Sequence, residues 1–137
     1  SFPTRRSSDL RWVSYCRSKL LIIPFTRELA ERYCCSNITV NCIHPGIIRT
    51  KLIRMLPVTW GVSTHHGATT VFNLATNPKF EDVTGEYLEE FKIVRPSPIA
   101  RSKQLQASLW RISLRWAGFT KGKASITPVS LLSRNDQ

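Results

Sequence analysis

The chain predicts an α/β fold with parallel strand pairing, and three observations carry that prediction. Apolar residues recur at helical spacing over 13–33 and again over 102–118. Between these stretches "NITVNCIHPG" switches to a period of two and stops at a Pro-Gly pair. The segments then follow one another as helix, strand, helix, strand, an alternation that returns each strand to the sheet in the same direction.

The elements run as follows. Residues 1–10, "SFPTRRSSDL", have no hydrophobic period and read as loop. They also resemble the translation of a widely used sequencing-library adapter. They are therefore expected to be foreign to the fold, with native sequence starting near Arg11. From Val13 to about Tyr33, Leu20, Leu21, Phe25, Leu29 and Ala30 supply an apolar side, and Arg27, Glu28, Glu31 and Arg32 a polar one. This predicts one long helix over 13–34. Pro24 lies within it, where it removes the hydrogen bond to the carbonyl of Leu20 and should kink the helix at a cost of about 3 kcal/mol. Ile38, Val40 and Cys42 next alternate with Thr39 and Asn41, a strand over 38–43 that Pro45-Gly46 ends. "THHGATTVFNLATNP" reads as a short helix closed by Asn77-Pro78, and "TGEYLEEFKIV" as a second strand, over 86–92, opened by Gly85. From Ser102 to Gly118, Leu105, Leu109, Ile112 and Trp116 recur at helical spacing and predict a stripe packed on a core. Residues 119–137 show no sustained period and read as a loose tail.

Composition bounds the function. At 137 residues and 42% hydrophobic content the chain suits a single domain. Twenty Lys and Arg against nine Asp and Glu give a formal charge of +11, and every charged side chain from Arg95 to Arg134 is basic. That excess invites a nucleic-acid or anionic-membrane partner. The basic residues are scattered, however, and no nucleic-acid module is recognisable, so nucleic acid is not an expected partner. The longest apolar run, "LLIIPF", is far short of the roughly 20 residues that cross a bilayer, and no secretory signal pattern opens the chain. Cys16, Cys34, Cys35 and Cys42 do not fall into paired C-x-x-C spacing, so no metal is expected even with His44, His65 and His66 nearby in sequence. Free thiols in a reducing, intracellular compartment are the plainer reading.

One pair stands out chemically. Tyr15 and Lys19 are four positions apart on the first predicted helix, so the hydroxyl and the ammonium share a face. An ammonium beside a phenol favours the phenolate, which is what a tyrosine with an ordinary pKa near 10 needs in order to exchange protons at neutral pH. The spacing alone is a weak signal, because it recurs by chance.

Its company is more specific. "YCRSK", "FTRELAERY", "ITVNCIHPGIIRTKL", "GATTVFNLATNP", "TGEYLEEF" and "LWRIS" occur in one order. Together they resemble the short-chain dehydrogenase/reductase family, within it the retinol-dehydrogenase-like and chloroplast-translocon-associated reductase branches. The likeness covers residues 11 to about 116 and matches only the carboxyl-terminal half of such an enzyme. It implies the C-terminal part of a Rossmann-like doubly wound parallel sheet, an incomplete domain over 11–118. It also implies an NAD- or NADP-dependent oxidoreductase whose substrates are lipophilic alcohols, aldehydes or ketones. By match, Tyr15 is the catalytic tyrosine and Lys19 its partner, which also hydrogen-bonds the nicotinamide ribose. Pro45 and Gly46 form the turn that passes the nicotinamide, Ile47 offers a backbone contact to the carboxamide, and Thr50 contacts the cofactor beyond it. His44 fits the same branch as a turn residue rather than a base.

The departures are equally plain. The family's glycine-rich phosphate-binding turn, its Asn-Asn-Ala-Gly segment and its catalytic serine belong upstream of the tyrosine and are absent from this sequence. Ser1, Ser7 and Ser8 lie in the adapter-like segment and are not taken for that serine. Without a glycine-rich turn at a helix N-terminus nothing holds a pyrophosphate, so the chain is expected to be inactive as it stands. The alternative is a noncatalytic basic protein that associates peripherally with anionic membranes or nucleic acid through residues 95–123.

Overall fold

The computed structural model describes residues 7–50 and 60–119. Helix α1 (Ser7–Leu20) and helix α2 (Ile22–Arg32) occupy the stretch expected to be one long helix. The interruption falls at Leu21, whose backbone stays helical (φ −67°, ψ −16°). Leu21 N–H still bonds the Arg17 carbonyl at 3.1 Å and Phe25 N–H the Leu21 carbonyl at 3.2 Å. Between them Pro24 has no N–H to offer Leu20, and the register breaks there. Pro24 thereby lies in the first turn of α2, where a missing N–H is tolerated. The start of α1 is a correction: residues 7–10 are helical rather than loop. A Ser-Ser-Asp run suits the first turn of a helix that the following residues already favour.

Strand β1 (Cys42–His44) is shorter and later than the stretch 38–43 expected from alternation. The approach to it is nonetheless bonded, since Gly85 N–H donates to Val40 O at 2.8 Å and Asn41 Nδ2 to Val83 O at 2.6 Å. Helix α3 (Thr64–Thr76) begins at Ser63, whose hydroxyl accepts from His66 N–H, and ends at Asn77. Strand β2 (Tyr87–Glu89) pairs parallel with β1, Cys42 opposite Tyr87, Ile43 opposite Leu88 and His44 opposite Glu89. The parallel pairing read from the sequence therefore holds, and the chain is α/β.

The second expected strand is in fact a hairpin. Strand β3 (Lys92–Ile93) runs antiparallel to β2, with Leu88 opposite Ile93 and Glu89 opposite Lys92. The two-residue turn between them works because Glu90 adopts a left-handed backbone (φ 54°), an unusual conformation for a residue with a side chain. Nothing in "YLEEFKI" announces it.

Helix α4 (Lys103–Trp116) is capped by Ser102, whose hydroxyl accepts from Leu105 N–H. Its buried face is not the expected stripe. Gln106 and Trp110 point inward, whereas Trp116 is 85% exposed and Ile112 is exposed as well. The reason lies in what α2 presents. Phe25 packs against Trp110 with ring centroids 5.5 Å apart, and the Arg32 guanidinium lies 4.4 Å over the same indole. The helix rotates to place its best-matched ring on that pair. Lys103 of α4 also forms an ion pair with Glu31 of α2. Leu88 and Ala100 are fully buried, and Phe80, Ala30 and Trp110 nearly so, completing the core under the sheet. The loose tail expected over 119–137 lies, from residue 120, outside the described residues.

Candidate active site

Tyr15 and Lys19 emerge on one exposed face of α1. Lys19 Nζ lies 5.6 Å from the centre of the Tyr15 ring, and Trp12 stacks on that ring at 5.6 Å with the planes 23° apart. The residues are three and four positions apart, so the helix itself aligns them as Trp12, Tyr15, Lys19. Ser18 Oγ donates to the Tyr15 carbonyl at 2.7 Å, which tightens that turn. About half of Tyr15 is open to solvent.

Pro45, Gly46, Ile47 and Thr50 form a second cluster, beyond the carboxyl end of β1. Gly46 has φ 83°, a backbone only glycine adopts without strain, and it turns the chain out of the sheet. The Ile47 carbonyl then accepts from Val62 N–H at 2.8 Å and Arg49 N–H donates to the Val62 carbonyl at 2.9 Å, so 47–49 is fastened to 62. Gly61 makes that closeness feasible: a Cβ there would lie 2.6 Å from the Ile47 carbonyl oxygen. Thr50 is exposed at the end of the segment. His44 is the last residue of β1, and its carbonyl accepts from Glu90 N–H at 2.9 Å.

A cleft of about 800 Å³ opens over this turn, walled by His44, Gly46, Ile47, Trp60, Val62 and Phe91 among others. Tyr15 and Lys19 do not line it. The structure thus presents the candidate residues as two groups, a helix pair and a turn cluster. Trp60, Phe91 and Glu90 contribute to the cleft without having been singled out in the sequence. His66 faces them from α3, its Nε2 3.8 Å from Glu90 Oε1 and its ring edge-on to Phe91 at 6.2 Å. Their signal was hidden because Glu90-Phe91 is the tip of the unforeseen hairpin.

The Tyr87 phenol on β2 is shifted from its ordinary value. Burial first, and then its hydrogen bond to Glu89 Oε1 at 3.1 Å, push its phenol up to about 12. Burial also raises the Cys42 thiol above its ordinary value, against a hydrogen bond to Thr26 that lowers it. Among the described residues no three His, Cys, Asp or Glu side chains converge as a metal would require. No helix among them is long and apolar enough to cross a membrane.

The family model for the short chain dehydrogenase matches residues 6–57, a span that holds Tyr15, Lys19, Pro45, Gly46, Ile47 and Thr50. Bovine retinol dehydrogenase 12 is 35% identical over 77% of this chain and 36% of its own length. Human retinol dehydrogenase 14 is 38% identical over 78% of this chain and 36% of its own, and human retinol dehydrogenase 13 is 33% identical over 80% and 40%. The chain therefore spans little more than a third of the length of these curated relatives. No solved structure matches. The order of the motifs, the parallel β1–β2 pair and these matches place the chain in the short-chain dehydrogenase family, among proteins similar to retinol dehydrogenases.

Proposed function

We propose that this chain is the tyrosine-bearing part of a nicotinamide-dependent oxidoreductase that acts on lipophilic alcohols, aldehydes or ketones, and that residues 1–137 by themselves are idle. The observation that carries the reading is Lys19 Nζ standing 5.6 Å from the Tyr15 ring on a solvent-open helix face. Tyr15 would pass its hydroxyl proton to the carbonyl oxygen of a substrate, or take one from an alcohol. Lys19, beside the Tyr15 ring, would bond the ribose through its ammonium. Gly46 and Ile47 would face the nicotinamide ring, with Thr50 beyond them. When bound, the nicotinamide supplies or accepts the hydride.

The residues present suit only one end of that cofactor, NAD or NADP. Gly46 leaves a side-chain-free surface at the cleft, with the nearest atoms to a Cβ there 3.5 Å away on Val62 and 3.6 Å away on Glu90. For the pyrophosphate there is no counterpart among the described residues. The helices with assigned caps open on Leu21, Ser63 and Ser102, and no glycine-rich turn precedes any helix in the sequence. The reading therefore includes a longer native protein, with residues 1–10 set aside as foreign and 11–118 as part of its domain. Titration of residues 1–137 with NADH and NADPH, followed by fluorescence, is expected to show no saturable binding. Turnover of a lipophilic aldehyde by residues 1–137 would overturn the claim of idleness.

A further inference from the structure

We propose that Cys34 and Cys35 form a two-thiol binding site for trivalent thiophilic centres, with monosubstituted trivalent arsenicals as its type of ligand. Both residues are exposed free thiols in the turn that follows α2, and their sulfurs lie 3.4 Å apart. The backbone around them is fixed. Cys34 N–H donates to the Glu31 carbonyl at 3.4 Å, and Ser36 donates to the Tyr33 carbonyl through its N–H at 3.0 Å and its hydroxyl at 2.7 Å. The two sulfurs thus lie 3.4 Å apart on a hydrogen-bonded turn.

The separation suits a shared third atom better than a bond between the sulfurs. Adjacent Cα atoms are about 3.8 Å apart across a trans peptide, below the roughly 4.4–6.8 Å over which disulfides close without strain. By contrast, two sulfur bonds of about 2.3 Å, the length thiolate makes to zinc, span about 3.4 Å when they meet near 95°, the pyramidal angle of trivalent arsenic. The reaction is a condensation. An arsenoxide R–As=O loses its oxygen as water, taking the protons of both S–H groups, and two As–S bonds form. Arsenic stays trivalent, so no oxidant or reductant is needed. The hydrogen bond to Cys35, and then the charge of Cys35, hold the Cys34 thiol above its ordinary value, so it enters the condensation as S–H. Beside Cys34 a hollow of about 190 Å³, lined by Arg27, Ala30, Glu31, Thr84 and Gly85 among others, leaves room for the organic group on arsenic.

The test is titration of the 137-residue chain with phenylarsine oxide, read by native mass spectrometry. One phenylarsenic per chain is expected, with the mass of one water lost. 2,3-Dimercaptopropanol should remove it, and an equal concentration of a monothiol should not. Making the second bond within one molecule typically strengthens binding by about 10²–10⁴, so C34S and C35S should each weaken it about 100-fold. C16S and C42S should leave it unchanged. Circular dichroism checks that each variant folds, and Cys34→Ala repeats the reading should serine disturb the turn. A loss smaller than tenfold in either C34S or C35S, or loss of binding in C16S or C42S, overturns the proposal.

Discussion

Replacing Trp110 by alanine should remove much of the stability of this chain, whereas replacing Trp116 on the same helix should cost almost nothing. Trp110 is 8% exposed, packs against Phe25 in a tilted pair and carries Arg32 over its face. An aromatic side chain buries about 150–250 Å², which at about 25 cal/mol per Å² amounts to about 4–6 kcal/mol. Alanine retains a little of that burial, and measured Trp→Ala losses in cores are about 3–5 kcal/mol. The Arg32 contact adds at most about 1 kcal/mol, because its side chain is 38% exposed and already paired with Glu28. Whole domains have only about 5–15 kcal/mol to lose. Trp116, at 85% exposure, should fall within the roughly 0.5 kcal/mol typical of surface changes. Urea unfolding followed by far-ultraviolet circular dichroism separates the two variants, since it does not depend on tryptophan emission. Trp116→Ala costing more than Trp110→Ala would refute the packing of α4 on α2 and restore the stripe that helical spacing alone suggests.

Other outcomes follow from particular residues. Glu90→Val should be less stable than Glu90→Gly by about 1–2 kcal/mol in the same urea experiment, because φ 54° is costly for any L side chain and most costly for a β-branched one. Gly61→Ala should cost more than about 1 kcal/mol, since its Cβ would meet the Ile47 carbonyl and φ is 148°. Amide exchange at Val62 should accelerate with it, and unchanged protection there would show that the 47–62 fastening is not what glycine permits. Tyr87 should ionise near pH 12 in an absorbance titration, in a step that Tyr87→Phe removes. The folded phenol holds its proton above the unfolded value near 10, so the stability it contributes is present below pH 10 and lost as pH rises toward 12.

Much of the architecture was legible because it rests on periodicity. The alternation of helical and two-residue periods gave the α/β class and the parallel pairing of β1 with β2, and Pro24 announced the break between α1 and α2. What stayed hidden depends on partners distant in sequence. The orientation of α4 is decided by Phe25 and Arg32, more than 75 positions earlier, so its own spacing suggested Trp116 instead of Trp110. The β2–β3 hairpin turns on a glutamate in a glycine-like conformation, for which local sequence carries no signal. The shared face of Tyr15 and Lys19 was legible because four-residue spacing forces it. The second half of the candidate site was legible only as the Pro-Gly turn, since the walls of the cleft, Trp60 and Phe91, come from loops without a period.

The proposed chemistry stands or falls on one side chain, tested in the longer protein that the proposal includes. The measurement is turnover of a lipophilic aldehyde with reduced nicotinamide by that protein and by its Tyr15→Phe variant, alongside the affinity of each for the nicotinamide cofactor. General acid catalysis contributes about 10²–10⁴ in rate, so the variant should lose at least about 100-fold in kcat while still binding cofactor. Activity within a few-fold of the parent, with cofactor binding intact, would contradict the assignment of Tyr15 as the proton donor.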